Sequence, residues 1–220
     1  MLAIHDCLAG LARKRPLFHS EADFQLALAW HLQRAHLTAQ VRLEVPFEAR
    51  QGNRIRVDIL FQDNDGLVLL ELKYTTRGLE LSVGKESFRL ANQGAQDVRR
   101  YDCIRDIVRL ETLVNQGHCS HGYAILLSND PGYWTAPLSH TVDAQFRLHE
   151  DDNPLYGTRH WDPEASAGTR RGRETPLPLS GRYCNRWRDY SRVSEGVAGQ
   201  FRYLLHEVRA VDATTGVETT

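Results

Sequence analysis

The chain has 220 residues, of which 41% are hydrophobic and 25% charged, and its formal net charge is −1. These values exclude collagen-like, coiled-coil and broadly disordered chains, and they suit one decorated globular domain with its own core. No run approaches the roughly 18 apolar residues of a membrane span, and the near-neutral balance excludes a uniformly basic nucleic-acid binder. His5 and Asp6 interrupt any apolar leader, and Arg13, Lys14 and Arg15 follow it, so a cytoplasmic protein without membrane attachment is expected. Cys7, Cys103, Cys119 and Cys184 are scattered and read as reduced thiols. His118, Cys119 and His121 lack the second ligand pair of a structural zinc site, so they read as a loop leading into a strand.

A short helix is expected near residues 2–11. A longer one starts after Ser20, where residues 20–23 have the form of a capping box. Phe24, Ala27, Leu28, His31, Leu32 and Ala35 then fall on one inward stripe. Residues 41–45 alternate as a strand and meet Pro46, which favours a sheet edge. Residues 54–61 alternate more cleanly, the turn residues Asp63, Asn64, Asp65 and Gly66 follow, and 67–74 is a strongly apolar strand: a β-hairpin.

Residues 84–94 read as a polar connection. The best helix spans 95–114, with Val98, Ile104, Ile107, Val108 and Leu110 inward, and with Asp102–Arg105 and Asp106–Arg109 as surface pairs. Residues 122–128 form a buried strand and 201–208 a late one. Between them, 150–181 is too long for a connector and reads as a functional loop, a lid or disorder. Residues 143–164 carry a charge of −4 and residues 169–192 one of +5.

The hairpin carries the chemistry. Side chains alternate across a strand, so Glu71 and Lys73 share a face with the apolar Leu67 and Leu69. Charges in the middle of so apolar a run are costly unless compensated. An Asn64-Asp65 loop sets Asp58 opposite Glu71, and an Asp65-Gly66 loop sets it opposite Lys73; either way the three lie within cross-strand reach. Two adjacent carboxylates repel unless a positive charge intervenes, and Mg²⁺ suits them, with one or two carboxylates, waters and substrate phosphate as its usual ligands. The lysine is placed to orient or deprotonate a water, or to stabilise charge on a phosphate. Without such chemistry, the same residues read as a surface hairpin face where Asp58 and Glu71 pair with Arg56 and Lys73.

Asp58 followed by Glu71-Leu72-Lys73 on the next strand resembles the PD-(D/E)XK nuclease superfamily, and residues 18–130 resemble its α-β-β-β-α-β core. The resemblance implies a restriction-endonuclease-like α/β fold: a mixed central sheet flanked by helices, with a C-terminal extension. It implies Asp58, Glu71 and the Leu72 backbone carbonyl as ligands of Mg²⁺, with Mn²⁺ as a substitute. Lys73 would be the catalytic lysine, and Glu21 the acid supplied by the first core helix. Two departures stand: Arg56-Val57 replaces the proline common before the first aspartate, and Gln96 and Tyr101 are five apart where four is usual. Gln93 and Gln96 are the better pair for sharing a face.

Each outlying candidate has a plain structural alternative. Glu21 suits a helix's first turn for its dipole alone. Lys85 and Arg89 are placed to meet phosphate, yet polar loops carry such residues routinely, and Arg99 and Arg100 default to solvated helix surface. Arg170, Arg171, Arg173, Arg182, Arg186, Arg188 and Arg192, interleaved with Tyr183, Trp187 and Tyr190, suit DNA contact through phosphates and stacking. The alternative is that Trp187 and Tyr190 anchor a C-terminal strand. The expectation is thus a Mg²⁺-dependent DNA nuclease. Residues 1–135 would form its core, and 136–220 an extension packed on it within one domain. A homodimer or a targeting subunit would supply specificity. The rival expectation is a non-catalytic nucleic-acid- or partner-binding module on the same fold.

Overall fold

The computed structural model describes residues 2–48 and 54–210. The remainder of the expected extension, 211–220, lies outside the described residues. The helices α1 (Ile4–Ala12) and α2 (Glu21–Ala35) precede three strands, β1 (Gln40–Glu48), β2 (Arg54–Asp63) and β3 (Gly66–Thr75). Ser20 caps α2 as expected, its Oγ accepting from Asp23 N at 3.1 Å. A hairpin of β4 (Leu79–Val83) and β5 (Glu86–Leu90), the long helix α3 (Gln96–Asn115) and β6 (His121–Ser128) follow. The chain then forms β7 (Leu155–Arg159), the short α4 (Ala167–Arg170), β8 (Leu177–Tyr183), β9 (Trp187–Arg192) and β10 (Gln200–Arg209).

The central sheet is mixed, in the order β1-β2-β3-β6-β10-β9. β3 and β6 run parallel and every other neighbouring pair in the sheet is antiparallel. Pro46 sits in β1 at the sheet edge, where its missing N–H costs no ladder bond. β6 is buried along its whole length, as a strand covered on both faces must be. On one face Leu8, Phe24, Leu28 and Leu32 pack with Leu70, Leu72 and Tyr74 of β3. On the other, Ile104, Ile107 and Leu110 of α3 pack on Leu69, Ala124 and Leu126.

Two expectations change. The polar connection at 84–94 contains β5: Leu79 and Leu81 pair with Leu90 and Phe88, and the two buried side chains, Phe88 and Leu90, join the core on the α1/α2 face. The stretch 150–181 holds β7, α4 and most of β8, and Leu155, Trp161, Leu177 and Leu179 pack with α3 in one core cluster. Beyond 136, β10 pairs with β6 and β9 with β10 inside the central sheet.

The oppositely charged segments also fold onto each other. β7, from the acidic stretch, pairs with β8 from the basic one, and Arg186 lies 3.8 Å from Asp152. The segregation seen along the sequence is thereby partly cancelled in space.

Candidate active site

The β2–β3 turn is the Asn64-Asp65 loop, with Asp63 opposite Gly66 and the ladder running to Ile59 opposite Leu70. There pairing stops. Asp58, which the register would set opposite Glu71, turns its carboxylate into the gap, and its Oδ2 accepts from Leu72 N at 2.6 Å. Two residues on, Glu21 Oε2 accepts from Tyr74 N at 2.9 Å. Two carboxylates therefore take backbone N–H groups of β3 that a continuing β2 would otherwise cover.

The opening has a visible cause in β1 and β2. Their ladder skips Glu44 and Asp58, and Glu44 has a left-handed backbone (φ 54°), a costly choice for a non-glycine residue. Gln25 of α2 reaches this point, its Nε2 donating to Glu44 Oε1 at 2.7 Å and to the Asp58 carbonyl at 2.8 Å. Ile59 and Phe61 belong to the core beneath α1 and α2, but Ile55 and Val57 belong to the core beneath α3. The two strands thus bend together across the sheet, and Asp58 stands at the bend.

Glu71 and Lys73 face α3, where the sequence-based expectation needs its main correction. Asp106 and Arg109 are not a surface pair: the Asp106 side chain is 3% exposed and joins the site. Asp106 Oδ2 lies 2.8 Å from Lys73 Nζ and its Oδ1 lies 3.0 Å from Arg109 Nη1. Arg109 Nη2 lies 3.1 Å from Glu71 Oε1 and also donates to the Arg56 carbonyl. Lys73 Nζ additionally donates to the Leu72 carbonyl at 3.2 Å. Asp106 sits between Cys103 and Leu110 on a buried stripe, so a charge inside an apolar stripe was the available signal.

The electrostatics are one-sided. Among the described residues of this cluster, four acids (Glu21, Asp58, Glu71 and Asp106) meet two cations (Lys73 and Arg109), an excess of two negative charges when all four acids are ionised. Burial, with Asp106 and Glu21 nearby, pushes the Asp58 carboxyl up to about 6 despite the Leu72 N–H and Lys73. Burial and then the Asp106 charge push Glu71 well above the carboxylate range, against Arg109 and Lys73. Burial alone would lower Lys73, but the charges of Asp106 and Glu21 outweigh it, so its ammonium is held more firmly than usual.

This donor set suits a hard divalent cation. Glu71 Oε1 is buried without a well-aligned hydrogen bond, and burial with neighbouring acids raises the carboxyls of both Asp58 and Glu71 despite the nearby cations. With the Leu72 carbonyl they are the kind of oxygen donors that Mg²⁺ takes alongside waters. No group of three or more His, Cys, Asp or Glu side chains among the described residues is arranged to hold a metal.

A cavity of about 20 Å³, room for about one water, is lined by Glu71, Lys73, Cys103, Asp106 and His206 among others. Its His206 is kept neutral, burial lowering the imidazole to about 4, and Nε2 donates to Asn185 Oδ1 at 3.0 Å.

The other candidates stand apart from this cluster. Lys85 is exposed in the tight turn between β4 and β5, and the exposed Arg89 pairs with Glu80 at 2.8 Å. Gln93 precedes α3 while Gln96 opens it, so the two do not share a helix face; the Gln96 amide is tied to Asp130 and Arg100. Tyr101 is buried, stacks on Trp161 and donates to the Thr175 carbonyl.

Arg100 is not solvated surface. It is 2% exposed and bonds to Asp143, Gln96 and the Gly132 carbonyl. Arg170 and Arg171 end α4, and Arg173 grips Asp102 of α3 through two bonds of 2.9 and 2.7 Å. Arg186 and Arg188 are exposed, but the aromatics between the arginines are internal. Tyr183 donates to Glu111, Trp187 to the Leu148 carbonyl and Tyr190 to the Arg15 carbonyl, so these rings anchor strands and form no stacking platform.

Among the described residues, no helix is long and apolar enough to cross a membrane. Compared with protein-family models, curated proteins and solved structures, the chain shows no significant match to any of them.

Proposed function

We propose that this chain is a Mg²⁺-dependent nuclease of the restriction-endonuclease-like kind, hydrolysing phosphodiester bonds in DNA. One observation carries the reading. Where β2 parts from β3, Asp58, Glu71 and Lys73 gather around one end of one strand, with more negative charge than the protein itself neutralises. Asp58, Glu71 and the Leu72 carbonyl are the residues to hold the metal. When bound, the cation would lower the pKa of a coordinated water and draw charge from the phosphate.

The remaining work falls to side chains. Lys73 stays an ammonium, because Asp106 and Glu21 favour its charged form. Held 2.8 Å from Asp106, it is placed to stabilise phosphate charge and orient the water. Asp106 positions Lys73, and Glu21 holds the end of β3 in place through Tyr74 N. Gln25, bonded to Glu44 and the Asp58 backbone, keeps the strands open.

The test is incubation of the purified chain with linear duplex DNA, single-stranded DNA and RNA, in Mg²⁺, Mn²⁺ or excess EDTA. The expected result is cleavage of DNA in either metal and none in EDTA. Binding of nucleic acid without hydrolysis of any substrate would overturn the reading and favour a non-catalytic binding module.

A further inference from the structure

Arg109 is a cation inside the site that the proposed chemistry does not call for. It spans from the surface, with 26% of its side chain exposed, to Glu71, with 1% exposed. One nitrogen serves both the Glu71 carboxylate and the Arg56 carbonyl, and the other serves Asp106. Asp106 is shared, since its second oxygen holds Lys73 at 2.8 Å. One carboxylate thus carries both cations of the site side by side. A guanidinium at 3.1 Å from Glu71 Oε1 stands where it would repel a divalent cation held between Glu71 and Asp58.

Resting on the metal-dependent reading above, we infer that Arg109 is the resident counter-ion of the metal-free site. It neutralises Glu71 until a divalent cation arrives, then gives up that carboxylate and offers the freed N–H to a substrate phosphate. The exchange leaves no charge stranded. Asp106 retains Nη1, Glu71 gains the cation, and Nη2 offers a charge-assisted N–H to a phosphate oxygen in place of the carboxylate. Metal and substrate phosphate then favour each other's binding, because each removes the contact that opposes the other. A purely structural Arg109, tying α3 to β2 and β3, makes the opposite forecast: its loss weakens the fold and leaves metal affinity no better.

The experiment is titration of Mn²⁺ alone, by calorimetry, into wild type, Arg109→Gln and Asp58→Asn, with thermal melts to verify folding. Arg109→Gln is expected to bind Mn²⁺ at least about tenfold more tightly than wild type, since the competing charge is gone. Should that variant fail to fold, Arg109→Lys takes its place. It keeps the Asp106 pair but cannot bridge to Glu71 as well, and about threefold tighter binding is expected. Unchanged or weaker Mn²⁺ affinity in the folded variant overturns the inference. The outcomes stay separable from those of the nuclease reading. If wild type binds no Mn²⁺, the metal-dependent reading fails and this inference with it. If wild type binds Mn²⁺ and Asp58→Asn does not, while Arg109→Gln matches wild type, only the role of Arg109 is lost.

Discussion

Replacing Asp58 by Asn is expected to lower DNA cleavage by at least about 10³-fold while raising the stability of the metal-free protein at neutral pH. The asparagine oxygen can still accept from Leu72 N, so the opening between β2 and β3 survives and only the charge is lost. Burial, aided by Asp106 and Glu21, raises the Asp58 carboxyl to about 6, so folding favours its protonated form. The stability this lends is full below the ordinary carboxylate range and is lost as the pH rises through about 6. Wild type in EDTA should therefore be less stable at pH 7.5 than at pH 5 by about 1–3 kcal/mol from this group, a gap that shrinks in the variant. Mn²⁺ should restore wild type at pH 7.5 and leave the variant unmoved. Urea denaturation at the two pH values measures this. A variant less stable than wild type at pH 7.5 would show that Asp58 is there to hold the fold.

The second large effect is expected at Lys73. Lys73→Met should reduce cleavage by about 10²–10⁴-fold, the usual range for losing a group that stabilises charge at the reacting centre. It should also destabilise the protein, because Asp106, 3% exposed, keeps only Arg109 as its partner. Those two losses have different cures. In the double variant Lys73→Met with Asp106→Asn, the positive charge lost at Lys73 is matched by the negative charge lost at Asp106, so stability should recover by about 1–3 kcal/mol while cleavage stays lost. Single-turnover rates and denaturation curves for the three proteins decide the matter. Recovery of cleavage in the double variant would mean that Lys73 served only to neutralise Asp106.

Much of the site was legible because it rests on short-range rules. The turn chemistry of 63–66 and the strand period bring Asp58, Glu71 and Lys73 to one end of one hairpin, and the Asn64-Asp65 register is one of the two expected. The capping serine of α2 and the late strand β10 were readable on the same grounds. What the period does not reveal is the bend at Glu44 and Asp58, since β2 keeps its alternating burial while its odd-numbered residues change from one core to the other.

Asp106 and Arg109 escaped because oppositely charged residues three apart on a helix normally face water. Only the stripe through Cys103 and Leu110 marks Asp106 as inward. The β4–β5 hairpin was hidden by the polar turn through Gly84 and Lys85, although Leu79, Leu81, Phe88 and Leu90 keep the period on either side. The surroundings of the arginine-rich segment were illegible for a different reason. Sequence shows which charges lie close along the chain, and it took the pairing of β7 with β8 to bring the acidic stretch beside them.

The central claim is that Asp58 and Glu71 share a divalent cation, and anomalous diffraction from crystals grown with Mn²⁺ tests it most directly. The expected result is a single strong peak about 2.0–2.2 Å from a carboxylate oxygen of each, with the Leu72 carbonyl also within ligand distance. A peak elsewhere, or none while Asp58 stays on Leu72 N and Glu71 on Arg109, would contradict it.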